Sequence, residues 1–419
     1  MSIADLTPAE LTKLVRNAAS HKTAVKSGQV PAALQNTLLG KSVALTFSKR
    51  STRTRVSTEA AVALMGGHPM FLGKDDIQLG VNESLYDTSV VISSMVSCIV
   101  ARVNGHSDVA DLAKHSSVPV INALSDLYHP LQTIADFLTL HEAFPSTHTS
   151  SHQGLGLEGM KIAWVGDANN VLFDLAIGAA KLGVHVAVAT PKGYEIPSAM
   201  RDVIAQAARS APNPGTLTET NVPEEAVKNA DVLVTDTWVS MGQEEESIKR
   251  MKAFEGFQIT NQMAQYGGAK EGWQFMHCLP RHQEEVSDEV FYSTRSLVFP
   301  EAENRLWAAV GKLPTIFLPL LHHTFCLLDN SCVGRICSQQ GKHLIESSNT
   351  KKKFKSSCLV HAVPYLLNCR DQRASSAPFI FVHLSGSASH SLRLTRRQGA
   401  HVDNVLGLLL LEFAGFVQR

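Results

Sequence analysis

Cysteine is scarce where this sequence is most regular. Of the seven cysteines in 419 residues, only Cys98 and Cys278 precede residue 300. Two isolated thiols make no disulfide framework, so this part reads as reduced and intracellular. Cys326, Cys332, Cys337, Cys358 and Cys369 crowd the end of the chain. No C-x-x-C pair joins His322 and His323 among them, so no metal site is expected. Net charge is also missing. Lys plus Arg and Asp plus Glu are 38 each. That balance excludes a general affinity for nucleic acid or an anionic membrane, though not a local basic pocket. A long apolar run is missing too. The best stretch, Leu313–Leu328, is broken by Pro314, Pro319, His322 and His323 and cannot span a bilayer. The opening Met1–Val15, with Asp5 and Glu10 in a helical pattern, has neither the apolar core of a secretory signal nor the Arg-rich, acid-poor character of a mitochondrial presequence. Glycine spacing for nucleotides is absent as well. Gly166-Asp167-Ala168-Asn169-Asn170 does not fit a dinucleotide turn. Gly40-Lys41-Ser42 lacks the first glycine of a P-loop, has Gln35 in its place, and precedes a strand.

What is present alternates strand and helix. Lys41–Phe47, His68–Leu72, Cys98–Val103 and Val118–Asn122 read as strands. Helices are expected after Ser51 up to Gly66-Gly67, over Ser84–Val96 and over Leu131–His141. A second series has strands at Met160–Asp167, Val184–Pro191, Asp231–Trp238 and Gln274–Pro280, with a helix over Val171–Leu182 that stops at Gly183. Strict alternation implies α/β architecture: two doubly wound parallel-sheet domains, joined by interdomain helices, with ligands at the carboxyl ends of the strands. The polar, turn-rich stretch Pro145–Gly154 is the natural boundary. The expected organisation is a first domain over 1–144, a second over 154–310 and an irregular C-terminal extension over 311–419. That extension is Ser-rich and aperiodic, carries the basic run Lys351–Lys355, and is expected to be poorly ordered.

The strongest motif is Ser51-Thr52-Arg53-Thr54-Arg55, directly after a strand and opening a helix. Hydroxyls, free backbone N–H groups, a helix dipole and two guanidiniums converge there, which is the chemistry of a phosphate site. Three further motifs follow in order: His129-Pro130-Leu131-Gln132, Asp236 through Gly242, and His277-Cys278-Leu279-Pro280.

Together these motifs resemble the signatures of the aspartate and ornithine carbamoyltransferases, from near residue 1 to about Trp307. The resemblance implies that Ser51, Thr52, Arg53, Thr54 and Arg55 hold the phosphate of carbamoyl phosphate, joined by Gln78 from a neighbouring subunit. It implies that Arg102 reaches phosphate and carbonyl oxygens, that His129 donates to the carbonyl oxygen, and that Gln132 binds the carbamoyl amide. Arg305, Cys278 and Leu279 border the carbamoyl group. Asp236, Asn170, Ser240 and Met241 would hold the amino-acid end of the second substrate. Cys278 and Asp236 would flank the attacking amine, without a covalent thiolate intermediate. Cys278 and the Ser240-Met241-Gly242 loop point to ornithine over aspartate, putrescine or an acylated ornithine. The implied reaction is carbamoyl phosphate plus ornithine giving citrulline plus phosphate, a step of arginine biosynthesis or the urea cycle. The resemblance also implies no cofactor, a homotrimer, and a place in the mitochondrial matrix or the cytosol.

One departure stands out. The family closes with a long helix after the Pro300–Arg305 segment, whereas Gly311 and Pro314 here predict that this helix stops or kinks. A truncated closing helix would leave Arg305 poorly placed. The alternatives to an ornithine enzyme are a carbamoyltransferase for another amine, putrescine or an acylated ornithine, and a catalytically dead family member.

Overall fold

The computed structural model describes residues 1–75, 83–144, 154–239 and 246–326, with 314–326 described by backbone alone. Two compact units divide the chain, Met1–Arg335 and Ile336–Arg419, and the second lies outside the described residues. So do Gln78, Ser240 and Met241.

The chain opens with a 3-10 turn, Ile3–Asp5, and helix α1, Pro8–Lys26. Three residues set the start of α1. The Thr7 hydroxyl accepts from the Glu10 N–H at 3.2 Å, Glu10 accepts from the Thr7 N–H at 2.8 Å, and Pro8 supplies a preset φ at the first turn. Then follow β1 (Ser42–Phe47), α2 (Thr52–Leu64), β2 (His68–Gly73), α3 (Leu85–Met95), β3 (Cys98–Arg102), α4 (His106–His115), β4 (Val120–Leu124) and α5 (Pro130–Ala143). The strands pair in parallel in the order β2-β1-β3-β4. β4 starts two residues later than the sequence predicts, after Pro119, whose missing N–H suits the edge of a ladder.

The second series is β5 (Lys161–Val165), α6 (Asn170–Leu182), β6 (His185–Ala189), α7 (Ser198–Arg209), β7 (Leu217–Thr220), α8 (Pro223–Val227), β8 (Val232–Thr235), α9 (Ser247–Ala253), α10 (Asn261–Gly267), β9 (Gln274–His277), α11 (Asp288–Phe291) and α12 (Val298–Cys326). Its sheet, also parallel, runs β7-β6-β5-β8-β9. These are two parallel-sheet α/β domains. In each, the chain winds outward from an inner strand, β1 or β5, first to one side and then to the other. Beyond the carboxyl ends of strands at such a switch point a crevice opens, and there these sheets take ligands.

The expected break in the closing helix does not occur. α12 is continuous from Val298 to Cys326, through Gly311 and Pro314. Packing overrides local propensity here. α12 leaves the second sheet and lies along α1, α2 and α5 of the first. Trp307, Ala308, Ala309, Val310 and Leu313 join the same apolar cluster as Leu11, Leu14, Val43 and Ile134. Burying a side chain the size of valine or leucine contributes roughly 1.5–3 kcal/mol. A few such residues outweigh the ~1 kcal/mol that a mid-helix glycine costs. Gly311 is moreover suited to its place, because a Cβ there would lie 3.2 Å from both the Ala18 Cβ and the Leu14 carbonyl oxygen. Among the described residues, no helix is long and apolar enough to cross a membrane.

Candidate active site

The carboxyl ends of both sheets face one cavity of about 670 Å³. On the side of the first sheet, β1 runs into Lys49, Arg50 and Ser51, and α2 starts immediately. Ser51 caps it, its Oγ accepting from the Thr54 N–H at 3.3 Å. The other first-turn N–H groups of a helix have no intrahelical partner, and they sit at the positive end of its dipole. Ser51, Thr52, Arg53 and Thr54 line the cavity. Arg102, the last residue of β3, and His129, the cap of α5, line it too, and both are buried. Arg305 reaches it from α12, donating to Gln132 Oε1 at 2.5 Å and to Thr54 Oγ1 at 3.2 Å. The continuous helix thus places Arg305 firmly.

Arg55 is a correction to the expected phosphate set, because it does not line the cavity. Its guanidinium pairs with Glu59 at 3.0 Å, one helical turn on, and lies 3.6 Å over the Phe71 ring. Arg53 lies in the first turn, at the mouth of the helix, whereas Arg55 is a step further in and is held along the helix flank by Glu59 and Phe71.

On the side of the second sheet, Asp236 follows β8 and Cys278 follows β9. The Cys278 thiol donates to Asp236 Oδ1 at 3.1 Å, and Asn169 Nδ2 donates to Asp236 Oδ2 at 2.7 Å. Asn170 borders the same space and donates to the Ser125 carbonyl at 2.6 Å, which ties α6 to the loop after β4. The turn bearing Cys278 is fixed from several directions. Leu279 adopts a left-handed conformation with φ 62°, which residues with a Cβ seldom visit. Its N–H donates to His277 Nδ1 at 2.9 Å, and its carbonyl accepts from Arg53. Since His277 Nδ1 is an acceptor, Nε2 carries the proton and donates to Glu285 at 3.0 Å.

The electrostatics divide cleanly. Burial lowers Arg102 and Arg305 to about 10, so both stay charged at neutral pH. Burial, and then Arg305, Arg102 and Arg53, push His129 well below the usual imidazole range, so it is neutral. The Cys278 thiol is raised well above its ordinary value by burial and then by Asp236, so it remains a thiol. Arg102 Nε, Arg305 Nε and His129 Nδ1 are buried without a partner among the described residues. Buried nitrogens of that kind are usually satisfied by something bound. One wall is therefore built for a dianion attached to a polarisable carbonyl. The other offers a carboxylate and a neutral thiol to an amine.

Sequence reasoning passed over several neighbours. Lys49 and Arg50 line the cavity, and their place right after β1 was the available signal. Asn169, one residue before Asn170, fixes Asp236. His282 and Glu284 line the outer part. Glu301 accepts from the His277 N–H at 3.0 Å from behind the site. No local pattern marks Glu301, because its partner lies on another element.

Residues 1–142 match the family model of the aspartate/ornithine carbamoyltransferase carbamoyl-P binding domain, and 158–313 match that of the Asp/Orn binding domain. The chain belongs to the aspartate/ornithine carbamoyltransferase family. Within it, the similarity is to ornithine carbamoyltransferases. The mitochondrial enzyme of Aspergillus terreus is 73% identical over 314 residues, which are 75% of this chain and 86% of that one. The mitochondrial enzyme of Schizosaccharomyces pombe is 54% identical, over 76% of this chain and 94% of its own length. Among solved structures, the mitochondrial ornithine carbamoyltransferase of Coccidioides immitis superposes with a TM-score of 0.71 at 67% identity, covering 76% of this chain and 96% of that one. The enzyme of Pyrococcus furiosus gives 0.68 at 42% identity, over 75% and 95%.

Proposed function

We propose that this chain is an ornithine carbamoyltransferase, moving the carbamoyl group of carbamoyl phosphate to the δ-amine of L-ornithine. The observation that carries the reading is the cavity with two opposed walls, buried arginines on one and the Asp236–Cys278 pair on the other. The α2 N-terminus with Ser51, Thr52, Arg53 and Thr54, together with Arg102, takes the phosphate. Charge-assisted bonds to a dianion are roughly twice as strong as neutral ones. Arg102, Arg305 and His129 face the carbonyl oxygen. They stabilise the charge that grows on it as the amine attacks, without reorganising at that moment. A neutral His129 suits this role, because it donates without adding to the cationic crowd. Gln132 meets the carbamoyl amide. Asp236 takes the α-ammonium of ornithine, helped by Asn170 and the Ser240–Met241 loop. Cys278, held as a thiol against Asp236, orders the δ-amine without forming a bond to carbon. The nitrogen lone pair makes the new C–N bond, the C–O bond to phosphate breaks, and the amine proton leaves with the phosphate.

The domain limits are those of the sequence reading: 1–144 for carbamoyl phosphate, 154–310 for ornithine. The working form is a homotrimer in the mitochondrial matrix. Exposed apolar residues on α3, Tyr86, Val90, Val91 and Met95, support the assembly. The names of the relatives support the compartment. The test is citrulline formation by the full chain from carbamoyl phosphate and a panel of ornithine, putrescine, N-acetylornithine and aspartate. Product with ornithine alone is expected. Product with another amine, or with none while phosphate still binds, defeats the reading.

A further inference from the structure

Behind the cavity, the side chain of Gln132 is trapped between unlike neighbours. Its Nε2 donates to Asp136 Oδ1 at 2.7 Å and to Glu301 Oε1 at 2.9 Å, while its Oε1 accepts from Arg305 at 2.5 Å. All four residues are buried, none more than 3% exposed. An amide can turn over and exchange its oxygen and nitrogen at almost no steric cost, so its direction is set by its partners. Here both ends agree. Turning it over would set the amide oxygen against two carboxyl groups and its NH₂ against a guanidinium. Glu301 is itself fixed, because its second oxygen accepts from the His277 N–H at 3.0 Å, one residue before Cys278.

We propose that Asp136 and Glu301 are positioning residues that hold the Gln132 amide with its oxygen toward the cavity, so that the site selects a transferable group bearing an N–H over one of the same shape that lacks it. This rests on the reading of the cavity as a carbamoyl phosphate site. A carbamoyl and an acetyl group are nearly equal in shape and in carbonyl polarity, and they differ in NH₂ against CH₃. The arginines and His129 bind phosphate and carbonyl oxygens, so they cannot tell the two apart. A carbonyl oxygen aimed at that NH₂ can. Burial raises both carboxyls; Asp136 raises Glu301 further, while the hydrogen bonds from Gln132 and Glu301 hold Asp136 lower, so the pair retains a proton and puts less than two full charges beside Gln132. Asp136 and Glu301 also sit on α5 and α12, the two helices that connect the walls. The selectivity is therefore built into the joint, where loop motion does not disturb it.

The test is calorimetric titration of the full chain with phosphonoacetamide, with its methyl-ketone analogue acetonylphosphonate, and with inorganic phosphate. The unsubstituted chain is expected to prefer the amide on the order of 10- to 100-fold, the range for leaving a buried polar group unpaired. In Glu301→Gln, one carboxamide must serve both the His277 N–H and the Gln132 NH₂. One of them meets an N–H instead of an oxygen, and Gln132 is released to turn. The preference is expected to fall to a few-fold while phosphate affinity stays unchanged. Asp136→Asn keeps an oxygen for Gln132 and offers its NH₂ to Glu301, so it is expected to keep the preference. If Glu301→Gln does not fold, Glu301→Asp, which withdraws the acceptor by one methylene, takes its place with a partial loss expected. An unsubstituted chain that binds ketone and amide equally would overturn the proposal. So would a Glu301→Gln chain that keeps the full preference, or a loss of phosphate affinity matching the loss of amide affinity. Citrulline formation, measured in parallel on the unsubstituted chain, reports separately on the reaction. Its failure with the binding preference intact would count against the enzyme reading and leave the amide lock standing.

Discussion

The two walls of the cavity solve opposite problems with the same scaffold. Both are carboxyl-terminal edges of parallel sheets. The wall from the first sheet gathers positive charge: Arg53, Arg102 and the cap of α2, with Arg305 added from α12. The wall from the second sheet gathers negative and neutral groups: Asp236, Cys278 and Asn170. Among the described residues, the first wall leaves buried nitrogens unpartnered, at Arg102 Nε, Arg305 Nε and His129 Nδ1. The second is internally satisfied, with both oxygens of Asp236 occupied by Asn169 and Cys278. An arginine wall kept open for a ligand gains from a dianion, which relieves the repulsion among the arginines. An acceptor wall whose carboxylate is already bonded has to exchange partners when the amine comes.

That contrast can be broken most severely on the cationic side. Arg102→Leu should lower kcat/KM on the order of 10³-fold, the upper range for removing one preorganised donor to a developing oxyanion. It should also weaken inorganic phosphate, since Arg102 serves both. Steady-state kinetics with a phosphate inhibition series reads both effects, and undiminished phosphate affinity would show that Arg102 is not part of the dianion site. Asp236→Asn should act on the other wall alone. A buried charge that loses its partner typically costs 2–5 kcal/mol, so kcat/KM for ornithine should fall on the order of 10²-fold with phosphate affinity intact. If phosphate affinity fell in step, the division between the walls would be wrong.

The sequence made the cationic wall easier to read than its supports. Ser51 through Thr54 are contiguous because one strand end and one helix start create the site, and local order survives in the sequence. Cys278 and Asp236 were legible through the motifs around them. Arg55 does not line the cavity, because its partners Glu59 and Phe71 draw it along the flank of α2, and contiguity in the motif carries no sign of them. Asp136 and Glu301 were invisible because their meaning lies in a contact between α5 and α12, 165 positions apart along the chain. The closing helix was misread for a related reason. Gly311 and Pro314 are local signals, and the packing of Val310 and Leu313 on α1 is not.

The joint between the walls can be loosened without touching either. Gly311→Val places a branched side chain where even a Cβ lies 3.2 Å from Ala18 and from the Leu14 carbonyl. Overpacking of this kind costs up to about 3 kcal/mol. Thermal unfolding should show the loss, together with a rise in KM for both substrates as α12 lifts Arg305 and Glu301. A valine accepted with unchanged Tm would mean that α12 does not bear on α1 this closely.

The smallest effect concerns the other end of the joint, where the chain start is pinned to α6 of the second domain. Asp174 Oδ1 accepts from the Ile3 N–H at 3.0 Å and from the Ser2 hydroxyl at 3.2 Å. Its Oδ2 makes no other close hydrogen bond among the described residues, although the backbone N–H of His129 also favours the charged form of this carboxyl. Burial raises this carboxyl to about 7, against an ordinary value near 3.8. The folded chain therefore holds a proton that the unfolded chain releases. Stability from this group is fully present below the unfolded value and is lost as pH rises toward and through 7. Asp174→Asn keeps the accepting oxygen and puts an uncharged NH₂ where Oδ2 stood, so this pH dependence disappears. Relative to the unsubstituted chain, the variant should gain stability between pH 5 and pH 8, on the order of 2 kcal/mol. Urea unfolding at the two pH values measures it. The gain should come without change in the binding of phosphate, because Asp174 clamps the two domains together and lies outside both walls. A gain of the opposite sign would mean that Asp174 is folded as a carboxylate, with the chain start held by charge and not by neutral hydrogen bonds.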